Sequence, residues 1–575
     1  MRKFGFYPQL ALRSLRLNGK FYLPYLLSGM VSAAMLYDIL FLNMNRGIYA
    51  LKGVNAVQGL LGFGAVVVAL FSFALLCYTN GFLMKRRQKE LGLYNILGME
   101  KRHLARLLFW ETIYSFLLCA VGGLLLGVLL SKLFLLLLCA VIQAEVPFGF
   151  EVPSAAVTYT IVGFGAIFLL NYLMNLFRLG RVKPIELLHG GESGDREPRT
   201  KWLLALLGLV TMGAGYYLSI TAEDPMNALF LFFLAVLLVI VGTYCLFTAG
   251  SIALLKALRK NKKYYYRTRH FTAVSGMLHR MKRNAAGLAT ICILSTMVLI
   301  TVSTTLCLYM GVSSILDRMY CRDVQTYVNY GAPEDLPKLK ALYEHKAREL
   351  GMEMEDFAAL CFYAPKTEYL NNRTDIDPYL KQVDENQVAG TPADGPLRVY
   401  VGCNFAPDAD SSLFSAAVEV GTRDLDLSSD WCCTDDGRTG RTDFWSSLGG
   451  FFFIGLFLGA LFLMAAVLIV YYKQVSEGYE DARSFSIMQQ VGMTQAEVKS
   501  SIRSQVSTVF FLPLLAAACH TAGAFPMTKK ILMLFGLSNT GLFLLCSGLT
   551  LLVFALAYYC IYRLTAREYY RIVKR

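Results

Sequence analysis

Charge is what this sequence has least of: Asp, Glu, Lys and Arg make up 17% of its 575 residues, against about a quarter in soluble domains. Acids are the scarcer sign, 41 against 55 basic residues. The phosphate-binding pattern G-x-x-x-x-G-K-[ST] is absent, so the chain brings no Walker cradle for ATP. H-E-x-x-H and G-x-S-x-G are absent as well, and the six histidines are scattered, which leaves a metalloprotease or serine hydrolase without a site. No small-x-small cleavage pattern follows the first apolar run, which begins behind five basic residues; the first helix is expected to stay in the mature chain. Apolar residues are plentiful, 55% of the chain with mean hydropathy +0.47. That balance excludes collagen-like, disordered and disulfide-scaffold classes and indicates a membrane protein. In so apolar a chain a net charge of +14 points to loops flanking a membrane, and no nucleic-acid partner is expected.

A helix needs about 20 apolar residues to cross a hydrocarbon core of roughly 30 Å. Ten segments qualify, near 21–42, 59–83, 110–132, 155–177, 202–220, 227–250, 286–310, 448–472, 504–524 and 541–562. Pro513 and Pro526 are expected to interrupt the ninth. The run 133–142 is too short to cross again and reads as an outward extension of the third, with Lys132 snorkelling. Ten spans put both termini on one side. That side holds 37 of the 55 basic residues and is therefore expected to be cytoplasmic. The one large opposite segment, 311–447, carries 13 basic against 24 acidic residues, a net charge of −11. Such a field concentrates cations near the membrane surface.

The chain repeats itself. KELGLYNILGMEKRHLARLLFWE, Lys89 to Glu111, aligns without gaps on RSFSIMQQVGMTQAEVKSSIRSQ, Arg483 to Gln505, at an offset of 394. Gly98 falls on Gly492, Met99 on Met493 and Leu97 on Val491. Each copy reads as a short amphipathic helix, a glycine turn and a second helix entering the bilayer. A fainter match places LRSLRLNGK, from Leu12, on LHRMKRNAA, from Leu278, at an offset of 266. The difference of 128 between the offsets is close to the excess length of the large external segment over the loop between spans one and two. Spans 1–4 and 7–10 are thus two copies of one four-helix unit, joined by spans 5 and 6, with a domain inserted after the first helix of the second copy.

With RRQKELGLYNILGMEKRHL and its degenerate partner, the RVKPIELLHG segment from Arg181 to Gly190, the ten-span order and one large domain between spans 7 and 8, the chain resembles the FtsX/MacB-like ABC transporter permeases. Within them it is similar to the ten-span Bce-type permeases of Gram-positive antimicrobial-peptide resistance modules. The resemblance implies coupling helices between spans 2 and 3 and between spans 8 and 9 that dock on two copies of an ABC ATPase. Carried over residue by residue, the ATPase-coupling positions are Glu90, Leu93, Leu97, Gly98 and Met99, and Phe485, Val491, Gly492 and Met493. Ser484 stands where the first copy has Glu90, so the two docking surfaces should be unequal.

The expected fold is an all-α polytopic membrane protein, ten transmembrane helices as two four-helix FtsX-like repeats plus a two-helix linker, with a small α+β extracellular domain. Its parts are a cytoplasmic N-terminal segment 1–20, the first repeat 21–178, loops and linker helices 179–285, helix 7 at 286–310, the extracellular ligand or sensor domain 311–447, helices 8–10 at 448–563 and a basic tail 564–575. The resemblance implies a non-catalytic subunit of the bacterial plasma membrane, with no cofactor of its own because the partner binds ATP. Its other implied partners are a two-component sensor histidine kinase, a cationic or cell-wall-targeting peptide ligand, and membrane lipids. The implied function is sensing and detoxifying or displacing such peptides. The alternative is a lipoprotein-release-like permease that transmits ATP-driven motion to envelope or cell-wall substrates.

Other residues are read individually. Residues 330–362 are expected to be helical, capped by Asp335 with Leu336, Leu339, Leu342 and Tyr343 on one face. Leu397–Cys403 alternates like a strand, and 366–396 is expected to be a surface loop suited to ligand contact. The odd number of external cysteines, Cys321, Cys361, Cys403, Cys432 and Cys433, allows at most two disulfides. Three D-x-D triplets, at Asp375, Asp408 and Asp424, are near chance frequency for a segment with 16 Asp. Asp38 and Glu111 are expected at the membrane interfaces, and Gly122, Gly123 and Gly127 to permit close helix packing.

Overall fold

Long apolar runs without internal punctuation fold as long helices, and loops are short where the sequence supplies a glycine or a cap. The computed structural model describes residues 5–49, 54–146, 151–181, 202–222, 225–260, 268–363, 379, 388–392, 395–429, 431–490 and 494–573. In order, the helices before the large domain are α1 (Phe6–Leu17), α2 (Gly19–Met44), α3 (Arg46–Tyr49), α4 (Val54–Ile96), α5 (Lys101–Ile142), α6 (Ser154–Arg181), α7 (Trp202–Thr221), α8 (Pro225–Cys245), α9 (Ser251–Lys260) and α10 (Thr268–Met319). Among the described residues ten helices are long and apolar enough to cross a membrane, matching the ten segments read from the sequence. Several are far longer than a span requires. The 42 residues of α5 extend about 63 Å at 1.5 Å per residue, and 133–142 is its continuous outer end.

Between α10 and the next membrane helix the described residues form a five-stranded sheet with two helices. Its elements are β1 (Val324–Asn329), α11 (Asp335–Leu350), β2 (Glu355–Tyr363), β3 (Val388–Ala389), β4 (Leu397–Asn404), α12 (Ser411–Arg423) and β5 (Cys432–Asp436). The strand order is β3-β2-β4-β1-β5; β1 pairs antiparallel with β4 and β5, β2 antiparallel with β4, and β2 parallel with β3. Alternation sets the two faces. Val324, Val328, Val399, Val401 and Cys403 pack under Leu336, Leu339, Tyr343 and Phe414, while Tyr327, Leu360, Phe362 and Tyr400 form a second core on the other face.

The expected strand at Leu397–Cys403 is β4, but the expected helix over 330–362 is half right. It ends at Leu350, because Gly351 adopts φ +66° and Met352 donates back to the Ala347 carbonyl at 2.9 Å, the glycine stop of a Schellman motif. Residues 355–363 then pair as β2. Asp335 is not the cap, which is Glu334; its carboxylate instead accepts from the Ala332 amide at 3.0 Å and the Ser428 amide at 3.1 Å. Most of 366–396 lies outside the described residues, and the described part includes β3. The five external cysteines are free thiols, and burial raises the Cys361 and Cys432 thiols to about 11 and Cys403 to about 12.

Three helices complete the chain: α13 (Gly437–Gln490), α14 (Gln495–Leu534) and α15 (Thr540–Val573). Helix α14 runs through both Pro513 and Pro526, so the expected interruption does not occur. The offset of 394 maps the end of α4, Ile96, onto the end of α13, Gln490, and the start of α5, Lys101, onto the start of α14, Gln495. The copies differ at their entrances: the chain breaks at Asn18 between α1 and α2, whereas α10 passes through the matching Asn284 without a break.

Within each copy the first helix, α2 or α10, is the hub against which the other three pack. Gly123 lies against Ala33 and the Met30 carbonyl, and Gly127 against Tyr37 and Ala34, so these glycines let α5 approach the backbone of α2. The copies meet chiefly through α13 against α4 and α5, with Phe71 edge-on to Phe462 at 4.7 Å and Phe134 edge-on to Phe457 at 5.2 Å. The linker pair α7 and α8 sits on the second copy, where His520 of α14 bonds Tyr216 at 2.5 Å and Thr243 at 3.1 Å.

Candidate coupling site and its connection to the sheet domain

The Gly98 turn is built by one residue type in one conformation. Gly98 has φ +97°, its amide donates to the Asn95 carbonyl at 3.1 Å, and the Met99 amide donates to the Tyr94 carbonyl at 3.0 Å. This is a Schellman closure, and Met99 and Tyr94 supply its hydrophobic contact in one small cluster. The Asn95 side chain fastens the far side by donating to the Met99 carbonyl at 3.0 Å. The sequence suggested a separate short helix before the glycine. Instead the span itself continues to Ile96, about 12 Å beyond Gln88 at 1.5 Å per residue, so a push on the turn acts on a rigid rod.

Two of the expected coupling residues, Leu93 and Leu97, stand at the exposed tip of that rod. Leu93 is 50% exposed and Leu97 73%, and Ile96 joins them on the same face, following the i, i+3, i+4 spacing of a helix stripe. Exposed apolar groups within a span face lipid, but these lie beyond the last apolar turn among charged residues, where a contiguous apolar patch marks an interaction site. Met99 is half-buried under the turn. In the second copy, Phe485 lies on α13, and Val491, Gly492 and Met493 lie outside the described residues.

Glu90 turns inward rather than toward the exposed stripe. It belongs to a network centred on Arg87, which is 2% exposed. Arg87 donates to Glu111 at 2.5 Å, to the Tyr22 hydroxyl at 2.6 Å, to Ser14 at 2.8 Å and to Glu90 at 3.1 Å. Asn18 and Tyr94 also donate to Glu90, at 3.1 and 3.3 Å. The network therefore ties α1, α2, α4 and α5 together directly behind the turn. Tyr7 of α1 adds a bond to His103 at 2.6 Å. Glu111 and Asp38, the two carboxylates expected near the ends of their spans, are both buried within the protein, and the two carboxylate oxygens of Asp38 have no hydrogen-bond partner. The spacing of Arg87 and Glu90 is readable as an i, i+3 pair; the convergence of Glu111, Tyr22 and Ser14 is tertiary and has no local signal.

At the other end of the bundle the sheet joins α13 without a linker and α10 through a short one. Strand β5 ends at Asp436 and α13 begins at Gly437, while four residues separate the end of α10 from β1. Both membrane helices run on past the boundaries read from the sequence, to Met319 and from Gly437 rather than to 310 and from 448. Arg438 clamps the junction: its guanidinium reaches Asp323 at 2.7 Å and the carbonyls of Phe405, Ala406 and Ala409 at 2.6, 3.0 and 3.1 Å. The Gly437 amide donates to the Asp323 carbonyl at 2.6 Å, and Arg441 donates to the Tyr320 carbonyl at 2.6 Å. A side chain at Gly437 would strike the Arg322 carbonyl. Sequence reasoning missed this joint; the adjacent Asp435-Asp436-Gly437-Arg438 is its only local trace. Of the D-x-D residues, Asp410 is spent capping α12 through the Ser412 and Leu413 amides.

An exposed apolar tip on α4 is thus braced by a buried ion network, and at the other end of the bundle the sheet domain adjoins α10 and α13. Residues 62–184, which include that tip, match the FtsX-like permease C-terminal family. Along its length the chain is similar to ABC transporter permeases, bacitracin export permeases among them. Over 90% of its length the permease is 23% identical to ABC transporter permease YvcS of Bacillus subtilis, covering 91% of that protein. It is 26% identical over 59% of its length to bacitracin export permease protein BceB of the same organism, covering 53% of it. The Halalkalibacterium halodurans BceB is 22% identical over 89% of the permease and 92% of its own length.

Proposed function

We propose that the permease works with two copies of a separate ABC ATPase to sense and to detoxify or displace cell-wall-targeting antimicrobial peptides, with a sensor histidine kinase as second partner. In this reading both termini and the Gly98 turn are cytoplasmic and the sheet domain is outside. ATP-driven closure of the partner moves the Leu93–Leu97 tip, and the two halves shift against each other along α4, α5 and α13. The domain moves with them because β1 and β5 are extensions of α10 and α13. The observation that carries the reading is this splice, held by Arg438: a domain mounted without slack on two membrane helices has its orientation set by those helices. Two of the relatives are named bacitracin export permeases, which supports a peptide ligand over an envelope substrate.

The test is growth inhibition of a deletion strain by bacitracin-like, lantibiotic and other cationic peptides. Complementation uses the intact chain and a Gly98→Trp variant. Selective hypersensitivity rescued by the intact chain alone is expected. Unchanged sensitivity in cells that express the protein would move the weight to lipoprotein release or another envelope process.

A further inference from the structure

The strands that join the membrane helices at one end hold a pair of exposed aromatic rings at the other. Tyr330 follows the last residue of β1 and Trp431 precedes the first residue of β5. Their rings meet edge to face, 6.3 Å apart at 78°, and the ladder reaches them through the Asn329 amide, which donates to the Trp431 carbonyl at 2.9 Å. Trp431 is 66% exposed and Tyr330 50%, whereas Tyr327, Tyr343, Tyr400 and Phe414 of the same domain are buried. Tyr330 also holds φ +59°, a conformation that a bulky residue keeps only where its surroundings fix it. Here the fixing is visible: Asp335 and Ser428 bind the two aromatic-bearing loops to each other, with Ala332 donating to Ser428 at 2.8 Å and to Asp335 at 3.0 Å.

The surroundings are acidic. The turn and helix start at 330–338 and the loop 424–429 hold four acids, Glu334, Asp335, Asp424 and Asp426, against the single Lys338. Glu334, Asp424 and Asp426 are exposed. A ring face beside carboxylates attracts a cation twice, through its quadrupole and through the local field, while offering apolar area to a neighbouring side chain.

We propose that the Tyr330–Trp431 pair is the contact site for a cationic amphipathic peptide, and that its occupancy is reported along β1 and β5 to α10 and α13. The proposal rests on the peptide reading above and adds the residues and the route. A basic side chain lies over Trp431, an adjoining apolar side chain against Tyr330, and the exposed carboxylates hold the remaining positive charge. Because the two rings sit on different strands, a ligand that bridges them loads both strands together.

The experiment measures nisin and bacitracin binding to the full-length permease in nanodiscs by thermophoresis, with empty discs subtracted. Trp431→Ala should weaken binding at least tenfold, Trp431→Phe less, and Leu413→Ala, an exposed apolar residue on α12, not at all. The double variant Asp424→Asn/Asp426→Asn leaves the aromatic pair intact; it should weaken binding severalfold and flatten its salt dependence. Binding by Trp431→Ala and by the double variant equal to that of the intact chain overturns the site and leaves the peptide reading standing. Binding of neither peptide to the intact permease above empty discs overturns both.

Discussion

Replacing Arg87 by methionine is the perturbation whose cost the structure defines best. The guanidinium is the one cation bonded to Glu111 in the described network, and Glu111 is 4% exposed. Methionine keeps much of the packing volume but leaves that carboxylate buried with the Tyr22 hydroxyl, at 3.3 Å, as its remaining donor; its Oε1 has none. Breaking a buried ion pair from one side costs about 3–5 kcal/mol, whereas replacing both members with apolar residues is often close to neutral. Arg87→Met should therefore destabilise the permease by about 3–5 kcal/mol, and Arg87→Met/Glu111→Leu should recover most of that loss. Glu90 survives either change, being half-buried and held also by Asn18 and Tyr94. Reversible unfolding in mixed micelles measures the four corners of the cycle, and protease cleavage near Ser14 reports whether α1 has come away from α4. A loss below about 1 kcal/mol for the single variant, or a double variant as unstable as the sum of its parts, would refute the argument that the network holds the coupling rod in place.

Gly98→Ala meets no neighbouring atom, so its cost is the backbone alone, about 1–2 kcal/mol; resistance should fall in part, and Gly98→Trp should abolish it at unchanged membrane expression by immunoblot. Arg438→Ala should leave peptide binding intact while removing most peptide stimulation of the partner's ATP hydrolysis, and equal stimulation would show that the joint transmits without its clamp. For Asp335, burial raises the carboxyl, but bonds from Ser428 and the Ala332 and Ser428 amides, with the Lys338 charge, outweigh it and hold the group below its usual range. A depressed carboxylate contributes stability above its unfolded value of about 3.9 that is lost as pH falls through the folded value. Thermal unfolding of the sheet domain, followed by Trp431 fluorescence, should thus draw no pH dependence from Asp335 between pH 5 and 8 and weaken below about 4. Asp335→Asn should remove that acid dependence and lower the midpoint throughout.

The membrane part was legible because its signals are local. Apolar runs gave the ten spans, and a gapless offset of 394 gave both the repeat and, as α4, α5, α13 and α14 show, the helix ends within it. Gly98 could be read as a turn because only glycine takes φ +97° without strain. What was not legible is tertiary. Nothing around Arg87 says that Glu111, 24 residues on, and Ser14, 73 residues back, converge on it, so Glu90 read as a docking residue when it faces the brace. Asp335 carries a capping residue's chemistry, yet its acceptors were claimed by a loop 93 residues away. The helix that begins at Asp335 stops at Gly351, and long-range pairing with β4 makes a strand of 355–363. The extension of α10 and α13 beyond the bilayer has polar residues and reads as loop, although it mounts the domain.

The central claim, that the Leu93–Leu97 tip is where the permease meets its motor, is tested most directly by placing a photo-crosslinking residue at Leu97 in cells of the native host, with the crosslinked product probed for an ABC ATPase. The account predicts a covalent permease–ATPase product from Leu97 and from Leu93, and none from Leu564, an equally exposed apolar residue on α15. Crosslinking from Leu564 but from neither tip position, in a complex that still hydrolyses ATP, would contradict it.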